Sequence, residues 1–293
     1  MDLAQDRLVE LLRTKSRNTI SGDGMKEYIF IDGEPFKEAF PLRSLFYGEG
    51  LFETFRWKAR PPVFLSKHLE RMKKGAGVLG IPFPKEEVIE ERIENAILES
   101  EIPDAYVKVC LLSQGSPIFY EFPEGSSLLV TVREYKPPIE PVKAHVSSFR
   151  RSSTSPILKL KSLNYLGNVL ARREARGLGF DEAIFLNDKV ELTEASVSNI
   201  FWLKDGILFT PSVDCGLLPG VIRGVVIELA REMGMEVMEC RHNLDTLLSS
   251  DASFITNSLI GAIAISYVND FRLSDSKDFE RIRTALIDGL GWA

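Results

Sequence analysis

At 293 residues, with 44% hydrophobic and 27% charged side chains, the chain has the balance of a globular protein that buries its own core, which argues against disorder or membrane burial. Its formal net charge of −6 leaves no global basic field for a phosphate backbone, so nucleic acid is excluded as a main partner and a small anionic ligand needs a local positive site. The length suits two ordinary domains held together without disulfides.

The predicted elements begin with a helical pattern at Leu3, Leu8, Leu11 and Leu12 that decays into turn-formers by residue 24; residues 1–24 read as an extension, a late-annotated start or a remnant of fusion. From Met25 the texture changes. "EYIFIDGEPF" (27–36) is strand, Asp-Gly turn and strand, a hairpin signal. Strands follow at "GLFETFRW" (50–57) and "PVFL" (62–65), then a helix in "SKHLERMKKGAGVLG" with Ser66 as its cap, a helix in "PKEEVIEERIENAILES", and strands "AYVKVCLLS" and "SSLLVTVREY". The prolines of "KPPIEP" (136–141) cannot continue a helix or sit centrally in a sheet. They place a linker over 138–145, between a smaller N-terminal α/β domain (25–137) and a larger C-terminal one (146–293).

Beyond the linker come "KAHVSSFRR", an extended run that turns into a helix at "LKLKSLNYLGNVLARREARG", and short strands at "DEAIFLN", "VELTEA" and "NIFWLKDGILFTP" broken by Asn-Asp and Asp-Gly turns. A helix over "GVIRGVVIELAREMG", a strand at "EVMECRH", a short helix from Asn243, a strand at "SFITNS" and a final helix from Lys277 complete the chain. Mixed α/β units on either side of a proline linker predict a ligand cleft between them.

Cys110, Cys215 and Cys240 are odd in number and far apart, without a C-x-x-C pair or a histidine at metal-ligand spacing; they read as small buried hydrophobes in a reducing compartment, and no metal is expected. His68, His145 and His242 are scattered and read as structural or surface residues. No apolar run approaches ~18 residues and no basic-then-apolar leader opens the chain, so a cytoplasmic location is expected and a membrane partner is not.

Two lysines, Lys159 and Lys161, share one face of the extended run before the "NYLGNVLARREA" helix. A desolvated lysine near other positive charge becomes a nucleophile, whereas a solvated pair does no chemistry, and alternation does not separate the two readings. The motif "KSLNYLGNVLARREA" resembles the lysine segment of the class IV, fold-type IV pyridoxal-phosphate enzymes, which include D-amino-acid and branched-chain aminotransferases and aminodeoxychorismate lyase. "GEGLFETFR", "HLERM", "LTEASVSNIF", "GLLPGVIR" and "FITNS" match in the family's order, from Met25 to near the C-terminus.

That resemblance implies pyridoxal 5'-phosphate held as a Schiff base by Lys161, with Lys159 as scaffold. It implies Glu194 facing the pyridine nitrogen, Arg71 on the phosphate, the backbone amides of Val221 and Ile222 at a helix N-terminus, Ser258 in the phosphate shell and Tyr165 at the ring hydroxyl. Ile222 stands where the family usually has threonine. The usual carboxylate traps, R-x-H or R-G-Y, are replaced by Ile118 and Tyr120, which leaves Arg56, Lys108 and Tyr120 as candidates for substrate. Tyr106-Val-Lys108 partly matches the Y-x-R of the branched-chain enzymes.

The expectation is a homodimeric transaminase moving an amino group between an amino acid and a 2-oxo acid. The K-S-L-N form favours D-amino acids. Aminodeoxychorismate lyase is the alternative, ahead of a branched-chain L-amino-acid transaminase or a non-catalytic, ligand-binding descendant of the fold.

Overall fold

The computed structural model describes residues 30–31, 34–35, 41–274 and 276–292; the pattern read at 1–24 lies outside them. Strands β1 (Phe30–Ile31) and β2 (Glu34–Pro35) pair antiparallel, as the Asp-Gly turn signal requires. After the short helix α1 (Leu42–Tyr47), β3 (Gly50–Lys58), β4 (Asp104–Gln114) and β5 (Gly125–Glu134) form an antiparallel three-stranded sheet in the order β3-β4-β5.

Alternation decides how this sheet is used. Leu51, Phe55 and Trp57 of β3 pack with Val107, Val109 and Leu111 of β4 against helices α2 (Leu65–Leu79) and α3 (Glu86–Ser100), through Leu69, Met72, Ile89 and Ile93. The other face, carrying Phe52, Thr54, Tyr106 and Lys108, is left to line a cavity. "PVFL" is not a strand: Leu65 N–H donates to the Pro62 carbonyl in a turn, and Leu65 is already helical. Ser66 therefore lies inside α2; the N-cap is Phe64, which makes no side-chain cap bond.

A nine-stranded sheet, counted among the described residues, takes the order β11-β10-β9-β12-β13-β6-β7-β8, with β14 paired to β13. Its strands are β6 (Val142–Arg151), β7 (Glu182–Asn187), β8 (Leu192–Ala195), β9 (Asn199–Lys204), β10 (Ile207–Pro211), β11 (Val237–Cys240), β12 (Ala252–Asn257), β13 (Gly261–Val268) and β14 (Phe271–Arg272). Residues 142–145, read as linker, are the first residues of β6. Strand β13 went unread in the sequence because "GAIAISYV" is small and apolar on both faces, the mark of a covered central strand rather than an alternating one.

The sheet curls, and the turn 196–198, closed by Ala195 N–H to the Ser198 carbonyl at 2.8 Å, sets β8 beside β9. Helices α5 (Val221–Glu232) and α7 (Lys277–Leu290) cover one face through Val226, Ala230, Phe279, Ile282 and Leu286. Helix α6 (Leu244–Leu248) supplies Leu247 to the core on the other face, and α4 (Leu166–Gly177) lies on β7 through Ala171 and Ala175. Each buried Leu, Ile or Phe contributes roughly 1.5–3 kcal/mol, which makes these layers a rigid support for the cavity between the two sheets.

Candidate active site

The cavity, about 350 Å³, opens where the free face of β3 and β4 meets the segment 156–168, the turn 194–199 and the N-terminus of α5. Lys161 is set by backbone: Phe52 N–H donates to the Lys161 carbonyl at 2.8 Å, Leu163 N–H to the Gly50 carbonyl at 3.0 Å, and Ser162 bridges to Leu51. The preceding run is not extended as expected but a 3-10 turn over Pro156–Lys159, which separates the two lysines. The Lys159 amine stands half-exposed, 3.8 Å from Asp214. The Lys161 amine lies in the cavity, 4.5 Å from the centroid of the Phe52 ring and 5.9 Å from that of Tyr165, and among the described residues no ion pair claims it. Burial, with Arg71 next in effect, pulls its pKa down to about 8.

Glu194 is buried on β8. One carboxylate oxygen accepts from Leu218 N–H at 3.1 Å and from Asn199 Nδ2 at 3.5 Å; the other lies 3.3 Å from Arg151 Nη2. Burial pushes the carboxyl up to about 6, against the pull of Arg151. Asn199 also donates to the Leu218 carbonyl at 2.9 Å, and it packs so closely on the turn before α5 that a Cβ at Gly220 would lie 2.0 Å from Asn199 Oδ1. Gly220 caps α5; its neighbours Val221 and Ile222 line the cavity, and the Ile222 side chain packs in the core.

Arg71 lines the cavity, and its fork is aimed by a residue the sequence reading passed over. Glu53 accepts from Arg71 Nε at 2.8 Å and from Nη2 at 2.6 Å, while Arg71 Nη1 donates to the Pro219 carbonyl at 3.1 Å. His68 Nδ1 lies 2.6 Å from the same carboxylate. Burial opposes ionisation of Glu53, but Arg71 and then His68 overcome it and hold the carboxyl at about 2; burial lowers the pKa of His68, which reads as a structural histidine. The signal was present: Leu51, Glu53, Phe55 and Trp57 share one face of β3, and a carboxylate at an apolar alternating position needs a cation.

Tyr165 stands edge-on to Phe52 at 5.1 Å, and its hydroxyl donates to the Ser196 carbonyl at 3.0 Å, where Asn168 also donates. Burial raises its pKa far above that of a free phenol. Ser258 lines the cavity with Thr256, whose buried hydroxyl has no hydrogen-bond partner among the described residues.

The substrate candidates divide. Lys108 lines the cavity, its amine 4.3 Å from the Phe52 centroid. Arg56 does not: its guanidinium is spent on Asp104, at 2.7 and 2.5 Å, and lies over Tyr135 and Trp292. Tyr120 is also outside the cavity, 73% exposed in the loop after β4. That loop is stapled by buried Arg43, which donates to the carbonyls of Ser116, Ile118 and Glu121 and to Glu49. Arg133, unread in the sequence because nothing local sets it apart from a solvated strand charge, lines the cavity.

Five cations (Arg71, Lys108, Arg133, Arg151, Lys161) and one acid, Glu194, face this space: a local positive site in a chain of net charge −6. Among the described residues, no cluster of His, Cys, Asp or Glu is placed to hold a metal ion, and no helix is long and apolar enough to cross a membrane.

The family model for amino-transferase class IV matches residues 50–268. Aminodeoxychorismate lyase of Bacillus subtilis is 31% identical over 255 residues, covering 83% of this chain and 87% of that protein. A Methanocaldococcus jannaschii protein provisionally named branched-chain-amino-acid aminotransferase is 32% identical over 273 residues, covering 89% and 94%. A Legionella pneumophila crystal structure, provisionally described as 4-amino-4-deoxychorismate lyase, superposes with a TM-score of 0.81 at 28% identity, covering 92% of this chain and 98% of that one.

Proposed function

The chain belongs to the class IV amino-transferase family, whose enzymes use pyridoxal 5'-phosphate, and from that premise we propose that it is a transaminase in which Lys161 holds the cofactor and carries the proton. The observation that carries this reading is the Lys161 amine: unpaired, desolvated, beside Arg71, with its pKa at about 8.

The surrounding residues fit the cofactor. Arg71 has five N–H donors, of which Glu53 and Pro219 take three, so two remain for phosphate. The amides of Val221 and Ile222 at the start of α5 and the hydroxyls of Thr256 and Ser258 add donors at the same end. Glu194, 3.3 Å from Arg151, is the carboxylate suited to a pyridinium.

When bound, the cofactor supplies an aldehyde for the lysine amine and a protonated ring that draws electrons from the substrate Cα. Glu194 would hold negative charge for that ring, and Arg151, 3.3 Å away, favours its ionised form. Lys161 Nζ would take the Cα proton and return it, which its lowered pKa permits near neutral pH. Phe52 and Tyr165 stand beside the amine, their ring centroids 4.5 Å and 5.9 Å from it.

A second reading is favoured by the Bacillus subtilis relative: the same groups serve a lyase that releases pyruvate from aminodeoxychorismate. The preference for D-amino acids rests on the K-S-L-N motif alone, since the relatives carry lyase and branched-chain names. A homodimer is supported by the apolar surface of Leu45, Phe46, Tyr47, Phe119 and Phe122.

The test is the absorbance of purified protein with D-alanine, D-glutamate, L-leucine, L-glutamate and aminodeoxychorismate, with Lys161→Ala beside it. Conversion of a visible band near roughly 410–420 nm to one near roughly 330 nm by an amino acid, absent in the variant, supports transamination. Pyruvate release from aminodeoxychorismate alone replaces it with the lyase, and a colourless protein that takes up no cofactor overturns both.

A further inference from the structure

We propose that Arg56 is a positioning residue for the phosphate end of the site: its side chain, clasped by Asp104, Tyr135 and Trp292, holds the edge of β3 against the turn 257–260 that carries Ser258. The proposal rests on reading the cavity as a pyridoxal-phosphate site and deepens that reading at one end.

Strand β3 is the outer strand of its sheet, and its outward backbone groups grip segments of the other half of the chain. The Gly50 carbonyl and Phe52 N–H take the Lys161 segment, and four residues further on Arg56 N–H donates to the Ser258 carbonyl at 3.0 Å. Four residues of strand span about 13 Å, so one edge sets the separation between the lysine segment and the turn 257–260. Thr54, between the two grips, lines the cavity. The turn is also held from its own side: Asn257 Nδ2 donates to the Val197 carbonyl at 3.2 Å and to Ser198 Oγ at 3.0 Å, and Asn257 Oδ1 accepts from the N–H groups of Leu259 and Ile260 at 2.9 and 3.1 Å.

The Arg56 side chain locks that edge in place. Its fork makes two bonds to Asp104 at the start of β4, and a guanidinium paired in its plane leaves its faces to aromatic rings. The rings are those of Tyr135, 4.0 Å from the guanidinium carbon, and Trp292, 5.1 Å from it. Trp292 is itself tied to β3, because Lys58 Nζ donates to its carbonyl at 2.6 Å. Its ring lies against Gly261, where a Cβ would come within 3.4 Å of it. Gly261 opens β13 three residues after Ser258, so Trp292 joins the Arg56 end of β3 to the far side of the turn.

The same contacts say which end of the site depends on Arg56. Its charge is spent on Asp104 and its side chain does not line the cavity, so it acts through the backbone bond to Ser258. Loosening the clasp releases the turn that carries Ser258, next in the chain to Thr256 and Asn257, which also line the cavity. The other attachments stay: Lys161 keeps its bonds at Gly50 and Phe52, and Glu194 keeps those from Leu218 and Asn199. A ligand's phosphate therefore feels the loss of the clasp, and its ring and aldehyde do not.

The experiment titrates the full chain with pyridoxal 5'-phosphate and with pyridoxal, which lacks the phosphate, by growth of the visible band, and follows amide hydrogen exchange at residue 56 in cofactor-free protein. Arg56→Gln and Trp292→Leu are expected to weaken pyridoxal 5'-phosphate by roughly 5- to 20-fold, with pyridoxal changed by less than about twofold. Both variants exchange the residue 56 amide faster than wild type, and Arg56→Lys, which keeps a cation beside Asp104, recovers part of the affinity. Equal weakening of the two compounds, unchanged affinity for pyridoxal 5'-phosphate in both variants, or unchanged exchange at residue 56 overturns the proposal while the cofactor reading stands. A wild type that takes up neither compound overturns both, so the two failures are told apart.

Discussion

Replacing Glu53 by Gln removes one charge from a buried triad. The Glu53 carboxyl sits at about 2 in the folded chain against an ordinary value of 4.5. At about 1.36 kcal/mol per pH unit, that difference amounts to about 3 kcal/mol of stability above pH 4.5. Because the folded pKa is depressed, this stability is fully present above 4.5 and is lost as pH falls towards 2. Removing the charge also leaves the Arg71 guanidinium facing a neutral amide, the costly way to break a buried pair. Urea unfolding of Glu53→Gln is therefore expected to show a deficit of about 3 kcal/mol at pH 7, shrinking to about half that at pH 3. A deficit below about 0.5 kcal/mol at pH 7, or one that stays the same from pH 7 to pH 3, refutes the assignment of Glu53 as the anchor of Arg71.

Three further outcomes follow from the same geometry. Lys161→Met abolishes turnover yet raises stability at pH 7 by on the order of 1–3 kcal/mol, because the buried amine resists its charge below about 8; the gain fades as pH rises towards 10.5, and thermal melts across pH check it. Gly220→Ala drives a methyl group into Asn199, 2.0 Å away; a loss of about 1–3 kcal/mol and weaker uptake of pyridoxal phosphate are expected in melting and absorbance titrations. Arg43→Met strips the Ser116, Ile118 and Glu121 carbonyls of their donor and leaves Glu49 unpaired, so roughly 3–5 kcal/mol is lost and hydrogen exchange accelerates over 115–124.

What the sequence disclosed depends on how far apart the interacting residues lie. Lys161, Glu194 and Arg71 each sit inside a short motif whose neighbours mark it, and the cavity brings all three together with Tyr165, Val221, Ile222 and Ser258. The helices with an apolar stripe, α2, α3, α5 and α7, were likewise legible, because periodicity is a local property. Strand β13 was not, since a strand covered on both faces loses its alternation. "PVFL" misled for the opposite reason: β-branched and aromatic residues suggested a strand, but the turn bond from Leu65 to Pro62 and the start of α2 at Leu65, whose side chain packs into the core, decided otherwise.

Charges were the hardest to place, because a strand lysine and a strand arginine look alike until register and partners are known. Arg56, Lys108 and Arg133 occupy one sheet face. Arg56 was named for substrate and is consumed by Asp104, which lies two residues before Tyr106 on β4 and 48 residues from Arg56 in sequence. Arg133 passed unnoticed; it lines the cavity and, among the described residues, has no ion-pair partner. The difference between them is created by cross-strand pairing alone: the acid falls beside one arginine and the tyrosine beneath the other. The motifs that carry Lys161, Glu194 and Arg71 are contiguous in sequence, whereas the charges on the free face of β3, β4 and β5 are sorted only by cross-strand pairing.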